Sequence, residues 1–512
     1  MISLELAQHL SSLSHELGRQ VGILVSRDGH IRNVIVGDAE RLMIPEIGRL
    51  RVRGGRLRGL RLIHTHLRGE DLTSDDLNDL ALLRLDLVAM LEVRSDGFPG
   101  KIEVAHILPM HDDTDGDEPY RRIEARDVST FSLDFSSTIL ALEREFGLLM
   151  RGSAAEMGKE RALIVGTSTD DGHYLETVEL VRSADVVIAG ELRQRRFRPH
   201  PKTVLGKGKL NEIVLEGMRR QADVAIFDVN LKPAQARAFE DSTGLKAIDR
   251  TQLILDIFAQ RAQSRDGKLQ VELAQLRYSL PRLTDKDEGL SRLTGGIGGR
   301  GPGETVLEVG RRRIRDRIRK LEKQIAKLSR QRETQRNRRL RNRVPVLSII
   351  GYTNAGKTSL LNAMTESHVE ADDRLFVTLD PTSRRLRFPQ EGEVIITDTV
   401  GFLKNLPQDL VAAFKATLEE LEQADLLLHV VDSSDERLEE KLKAVRELLH
   451  EMQLTDIPQL LVFNKCDLLS PAAVNALSQQ YEGILVSAKT REGLDTLLSE
   501  AENLLKICIC KR

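Results

Sequence analysis

Eight residues at Gly351 to Thr358, GYTNAGKT, place a glycine at each end of a four-residue span and follow the second with lysine and threonine. A loop of this kind can turn a row of amide hydrogens inwards, and a helix starting at its end adds the positive end of its dipole. The chemistry this suits is phosphate binding. The amides of Tyr352, Thr353, Asn354, Ala355 and Gly356 would line the phosphates, and the Lys357 ammonium would neutralise charge on the β and γ groups as a catalytic residue. The Thr358 hydroxyl would hold Mg2+. The motif requires a strand before it and a helix after it, and VPVLSII and SLLNAM stand in those places.

ITDTVG, Ile396 to Gly401, follows a second apolar run. Asp398 would reach the cation through water. Thr399 and Val400 lead to Gly401, whose amide would meet the γ-phosphate, act in catalysis and let go when that phosphate leaves. Between the two motifs lies LFVTLDPTS, where Phe376, Val377, Leu379 and Asp380 should border the nucleotide. Thr378 and Thr382 both offer a further hydroxyl for Mg2+, and spacing alone does not choose between them. NKCD, Asn464 to Asp467, sets the base. The Asp467 carboxylate can accept from both N1–H and the 2-amino group of guanine, whereas adenine would leave it unmet. Lys465 can lay its stem over the ring, Asn464 can brace neighbouring loops and Cys466 lies between the contacts. SAK, that is Ser487, Ala488 and Lys489, would supply an amide to the guanine oxygen. Together these motifs predict GTP and GDP binding and GTP hydrolysis. The residue after DTVG is Phe402, and a phenyl ring cannot orient water, so slow hydrolysis by the isolated protein is expected.

These motifs need strands to carry them. Apolar runs at 346–350, 393–397, 426–431, 459–463 and 484–486 recur at the spacing of an α/β unit, with ligands expected at the carboxyl ends of a doubly wound, mostly parallel sheet. Upstream, strand-like runs at 162–165, 185–189 and 223–227 alternate with helical stretches in a second α/β unit, 158–250. A long helical pattern over 251–285, a glycine-dense loop at 295–305 and a helix from Glu308 to about Leu340 predict an antiparallel arm, 251–343. Residues 1–110 read as an extra small α/β domain, with strands at 21–25, 34–36 and 60–64 and a helix from Asp75 to Glu92. An acidic linker and helical segment (111–157) follow it, the nucleotide domain spans 344–495 and a helix and tail close the chain at 496–512.

GYTNAGKTSLLNAM, LFVTLDPTSRRL, DTVGFLKNLP, the stretch DRTQLILDIFAQRAQSRDGKLQVELAQLRY and the loop GGIGGRGPGET together resemble the HflX family of ribosome-associated GTPases over about 158 to 490. The resemblance implies that Thr378 is the second magnesium ligand and that an aromatic after DTVG is usual. It also implies that the protein binds the large ribosomal subunit, splitting or rescuing stalled ribosomes or aiding subunit biogenesis. From Arg311 to Arg343 there are 16 Arg or Lys against 3 Asp or Glu, a local balance of +13 that suits rRNA, although the whole chain carries only −2. An RNA-remodelling GTPase with a non-ribosomal target is the alternative.

Two smaller motifs lie outside the nucleotide unit. LGKGKLNEI places Gly206, Lys207, Gly208 and Lys209 in a short turn. The family resemblance implies a second nucleotide there, ATP included, while a structural turn or RNA contact is the simpler reading. RLIHTHLRGEDLTSDDL puts His64 and His66 on one strand face with Asp75 and Asp76 at the next helix start, which resembles the JAB1/MPN signature of HxH followed by SxxD. The third residue after Ser74 is Leu77, and only Thr73 with Asp76 restores the order, so a degenerate fold or a pair of surface histidines is expected. The three cysteines, Cys466, Cys508 and Cys510, are too few for a disulfide framework, and no apolar run could span a bilayer. A cytoplasmic monomer without membrane insertion is expected.

Overall fold

The computed structural model describes residues 2–44, 57–109, 119–149, 159–195, 199–283, 306–341, 344–365, 382–388, 392–398, 401–402 and 421–510. The chain is α/β and falls into two compact units, 1–181 with 185–250, and 182–184 with 251–512.

The first unit holds two sheets. The larger runs in the order β2-β1-β3-β4-β5-β6, built from β1 (Val21–Ser26), β2 (Ile31–Val36), β3 (Leu60–His66), β4 (Leu87–Val93), β5 (Pro99–Ile107) and β6 (Tyr120–Ala125). All its pairings are antiparallel except β3 with β4. Helix α1 (Leu4–Leu17) starts on a Ser3 side chain that caps Leu6 N–H and ends at Gly18 in the left-handed region. Helix α2 spans only Ser74–Leu82, so the helix expected from Asp75 to Glu92 is corrected: Arg84 turns at φ 51° and the next run becomes β4. Six of the seven β4 side chains are buried, and a strand covered on both faces shows no alternation that sequence could reveal. The boundary expected at residue 110 also moves. Strand β6 pairs with β5, and Phe135, Ile139, Leu142 and Phe146 of α3 (Phe135–Leu149) bury in the same core as β1, β3 and β4. The acidic stretch 111–118 lies outside the described residues.

The smaller sheet is wholly parallel, in the order β10-β9-β7-β8, from β7 (Arg161–Gly166), β8 (Val187–Arg193), β9 (Val224–Phe227) and β10 (Lys246–Ile248). Helices α4 (Asp171–Ser183), α5 (Lys207–Arg219) and α6 (Pro233–Thr243) connect its strands. Val214 and Met218 of α5 reach into the core of the larger sheet, so the two sheets of this unit share packing.

In the second unit the expected 251–285 helix is two: α7 (Arg250–Arg261) and α8 (Arg265–Ser279). Ser264 starts the second by accepting from Gly267 N–H at 2.9 Å, a cap that the apolar spacing does not reveal. Helix α9 (Val306–Arg341) lies antiparallel to α8, with Arg311 donating to Leu283 O and the pairs Arg317–Glu272 and Arg277–Glu322 further along. Leu321 is fully buried on its apolar stripe. The glycine loop 295–305 lies outside the described residues. The last sheet runs β12-β13-β11-β14-β15-β16: β11 (Val346–Gly351), β12 (Thr382–Arg387), β13 (Glu393–Asp398), β14 (Leu426–Asp432), β15 (Gln459–Asn464) and β16 (Ile484–Leu485). Only β12 is antiparallel, so the carboxyl ends of the other five strands lie along one edge. Among the described residues no helix is long and apolar enough to cross a membrane.

Candidate nucleotide site

Strand β11 ends at Gly351, with φ +152°, against β14. A Cβ there would lie 2.2 Å from Val430 O, so the loop can leave the sheet at this point only on glycine. Asn354 turns through φ 61° at the exposed tip, and Gly356, at φ 84°, returns the chain into α10 (Lys357–Thr365). Lys357 is 7% exposed, and its Nζ donates to Tyr352 O at 2.7 Å, folded across its own loop. Burial lowers its pKa to about 8, against the opposing pull of the Asp398 charge.

Register places Asp398 at the end of β13 beside Ile349 of β11. Thr358 Oγ1 donates to Asp398 Oδ2 at 2.7 Å, which brings the loop hydroxyl and the strand carboxylate to one point. Gly401 presses on the phosphate loop: a Cβ there would meet Thr353 Cα at 2.9 Å and Lys357 Nζ at 3.0 Å. Phe402 has a structural part the sequence does not disclose. Its ring is buried, its N–H donates to Gly351 O at 3.1 Å and its carbonyl accepts from Thr353 N–H at 2.9 Å. The start of the DTVG-following segment is thereby tied to the phosphate loop by backbone bonds that any residue type but proline could make.

Strand β15 delivers Asn464, whose side chain spans both halves of the site. Nδ2 donates to Ala355 O at 3.0 Å and Oδ1 accepts from Ala488 N–H at 3.0 Å. The phosphate loop and the SAK loop are thus joined through one buried amide. Lys465 adopts the left-handed conformation at φ 64° and starts the short 3-10 turn Cys466–Leu468, in which Asp467 is exposed. Ser487 is fully buried, its N–H bonded to Glu492 O, while Lys489 is exposed.

Two residues at the end of β14 escape the motif reading. Asp432 takes Lys465 Nζ at 2.7 Å, and Ser433 donates to Asn464 O through both N–H and Oγ. The rule that ligands gather at strand ends is the available signal, since the apolar run 426–431 stops just before them. Phe376, Val377, Thr378, Leu379, Asp380, Thr399 and Val400 lie outside the described residues. Thr382 opens β12 in register with Asp398.

The lesser motifs go elsewhere. Gly206 is the N-cap of α5 and its N–H donates to Gln194 Oε1 at 3.1 Å. Lys207 Nζ lies 3.5 Å from Asp75, and Lys209 pairs with Glu212 at 2.7 Å. His64 and His66 are not surface residues: they are 0% and 2% exposed, and Asp76 converges on them.

Residues 346–465 match the family described as 50S ribosome-binding GTPase, 172–259 match GTP-binding GTPase N-terminal, and 261–339 match GTP-binding GTPase Middle Region. GTPase HflX of Caldanaerobacter subterraneus subsp. tengcongensis is 48% identical over 352 residues, covering 68% of this chain and 81% of that protein. The chain belongs to the HflX GTPase family. GTPase HflX of Escherichia coli is 46% identical over 345 residues, covering 66% and 81% respectively. That of Lacrimispora saccharolytica is 45% identical over 353 residues, covering 68% and 84%. The three family matches all lie between residues 172 and 465, so the six-stranded sheet of the first unit stands outside them. As an HflX-family member the protein is a GTP hydrolase with a P-loop nucleotide domain.

Proposed function

We propose that this GTPase docks on the large ribosomal subunit, that GTP at the Gly351 loop permits docking and that hydrolysis ends it, in the service of splitting or rescuing stalled ribosomes or of subunit assembly. The observation that supports the nucleotide part is the Asn464 amide, held at 3.0 Å to both the phosphate loop and the SAK loop. A side chain that joins those two loops makes sense if one ligand spans them.

Within the site, Lys357 would leave Tyr352 O for the β and γ oxygens, and the Gly401 amide would bond the γ-phosphate. The Asp467 carboxylate would take N1–H and the 2-amino group of guanine. Thr358 and Asp398, already 2.7 Å apart, would hold Mg2+, Thr358 through its hydroxyl and Asp398 through water, with Thr378 as the second hydroxyl; the cation would neutralise charge on the triphosphate. Phe402 offers no group to orient the attacking water. The slow step therefore waits on a partner.

The partner reading is supported by α9. Arg312, Arg313, Arg315, Lys320, Lys323 and Lys327 are all exposed on a helix whose acidic residues are few, which suits the phosphate backbone of rRNA. The first turn of α5 is better read as a helix start than as an ATP pocket, because Lys207 and Lys209 already face carboxylates. Single-turnover hydrolysis tests the proposal. Isolated protein should turn over slowly and large subunits should accelerate it; fast turnover by the free protein, or indifference to the subunit, contradicts it. Stimulation by a protein-free RNA in place of the subunit would favour the non-ribosomal alternative.

A further inference from the structure

The edge of the nucleotide-domain sheet carries a charged strand that GTP chemistry does not use. Strand β12 is outermost in its sheet and bonded to β13 on one side; among the described residues no strand pairs with its other side. Its sequence, TSRRLR, brings three arginines and no acid, and Arg384, Arg385 and Arg387 are all exposed. Among the described residues none of the three meets a carboxylate. Glu393 stands across from Arg387 in the ladder, yet the two form no ion pair, and Arg384 Nη1 donates to Ser383 O at 3.4 Å. Arginines elsewhere on this unit do find acids: Arg317 pairs with Glu272, Arg277 with Glu322 and Arg319 with Asp316.

We propose that Arg384, Arg385 and Arg387 form an RNA-backbone contact on the nucleotide domain, a second basic surface by which the chain grips the large subunit. The inference rests on the docking reading above. Successive side chains of a strand point to opposite faces, so Arg385 and Arg387 project from one face and Arg384 from the other, beside buried Leu386. Guanidinium groups on both faces of a free edge can straddle a ridge of phosphates. All three are arginine, whose planar fork takes phosphate oxygens two at a time, whereas lysine offers a point charge. Three like charges on one short strand repel one another, and a polyanion removes that repulsion.

The strand starts at the nucleotide end of the sheet. Its first residue, Thr382, is paired in register with Asp398, the carboxylate proposed to reach Mg2+ through water. At a rise of about 3.4 Å per residue, Arg384 to Arg387 stand roughly 7–17 Å along the strand from that point. RNA held here would bear on the strand bonded to β13, so docking and hydrolysis would share one ladder. The ordinary role of charge on an edge strand is to keep two sheets from pairing edge to edge. Glutamates would serve that role as well as arginines, whereas they would repel RNA. That contrast separates the two roles.

Co-sedimentation of the full chain with purified large subunits, in a non-hydrolysable GTP analogue and across a salt series, tests this. With Arg384→Glu, Arg385→Glu and Arg387→Glu combined, affinity should fall and the slope of log affinity against log salt should shrink by about 2–3, close to one counterion per lost phosphate contact. Lysine at the same three positions should keep that slope and recover part of the affinity. Equilibrium GTP binding equal to wild type shows that a variant is folded. If the triple reversal loses it, Arg385→Glu alone replaces that variant, with an expected slope change of about 1. Wild type and folded glutamate variants that pellet equally, with one slope, would reduce β12 to an edge guard and overturn the inference while docking stands. Wild type that pellets in no nucleotide would remove the docking reading and this inference with it.

Discussion

At the scale of single residues, the proposed nucleotide chemistry rests on two side chains, and each can be tested alone. Replacing Asp467 by Asn exchanges one acceptor for a donor that faces the 2-amino group, so GTP affinity should fall by about 10²–10⁴-fold, the worth of two hydrogen bonds to a charged group. The same variant should gain xanthosine triphosphate, which keeps N1–H and offers an oxygen at position 2. Equilibrium binding of both nucleotides reads the swap, and an Asp467→Asn variant that keeps its GTP affinity would contradict the assignment. Lys357 makes a pH prediction. Its pKa of about 8 lies below the ordinary 10.5, so between those values the unfolded chain holds more protons than the folded one, and this group favours the folded state increasingly as pH rises through that window. Nucleotide binding reverses the shift, because a triphosphate stabilises the ammonium. GTP binding at pH 8 should therefore take up protons and weaken as pH rises further. Calorimetry in buffers of different protonation enthalpy measures the uptake, and buffer-independent heats would contradict it.

At the scale of elements, the site depends on strands ending in register and on short bridges between their loops. Asn464→Ala would leave Ala355 O and Ala488 N–H unmet inside the protein, at a cost of about 1–3 kcal/mol each when buried. Thermal unfolding should show a lower midpoint, and GDP and GTP should weaken together because, in the proposed site, the brace would lie away from the γ-phosphate; a loss confined to GTP would count against that role. Strands β11, β13, β15 and β16 of this sheet are legible in the sequence because each apolar run is followed by a motif of known chemistry, and Asn464 is legible as a brace for the same reason. Strand β4 is not, since LVAMLEV is buried on both faces and shows neither helical nor strand periodicity. The break at Ser264 is hidden because apolar spacing continues across it. The Phe402 bonds to Gly351 and Thr353 run through the backbone, which side-chain identity cannot report. Asp76 stands in the motif at a spacing that argues against it, and the capping box with Thr73 shows which register the helix adopts.

At the scale of the whole molecule, charge is divided unevenly. The chain carries −2 overall, yet 311–343 carries +13, so docking on RNA should release many counterions. Affinity for large subunits should fall steeply between low and physiological salt, and reversing Lys320, Lys323 and Lys327 to Glu should lower both the affinity and that slope; a flat salt dependence would remove RNA as the target of α9. The central claim joins this surface to the nucleotide: guanine read by Asp467 governs attachment to the subunit. The most direct measurement is co-sedimentation of wild type and Asp467→Asn with large subunits, each in a non-hydrolysable GTP analogue, the matching xanthosine analogue and GDP. Wild type should pellet with the GTP analogue, the variant with the xanthosine analogue, and neither with GDP. Equal pelleting of both proteins in all three nucleotides would contradict the account.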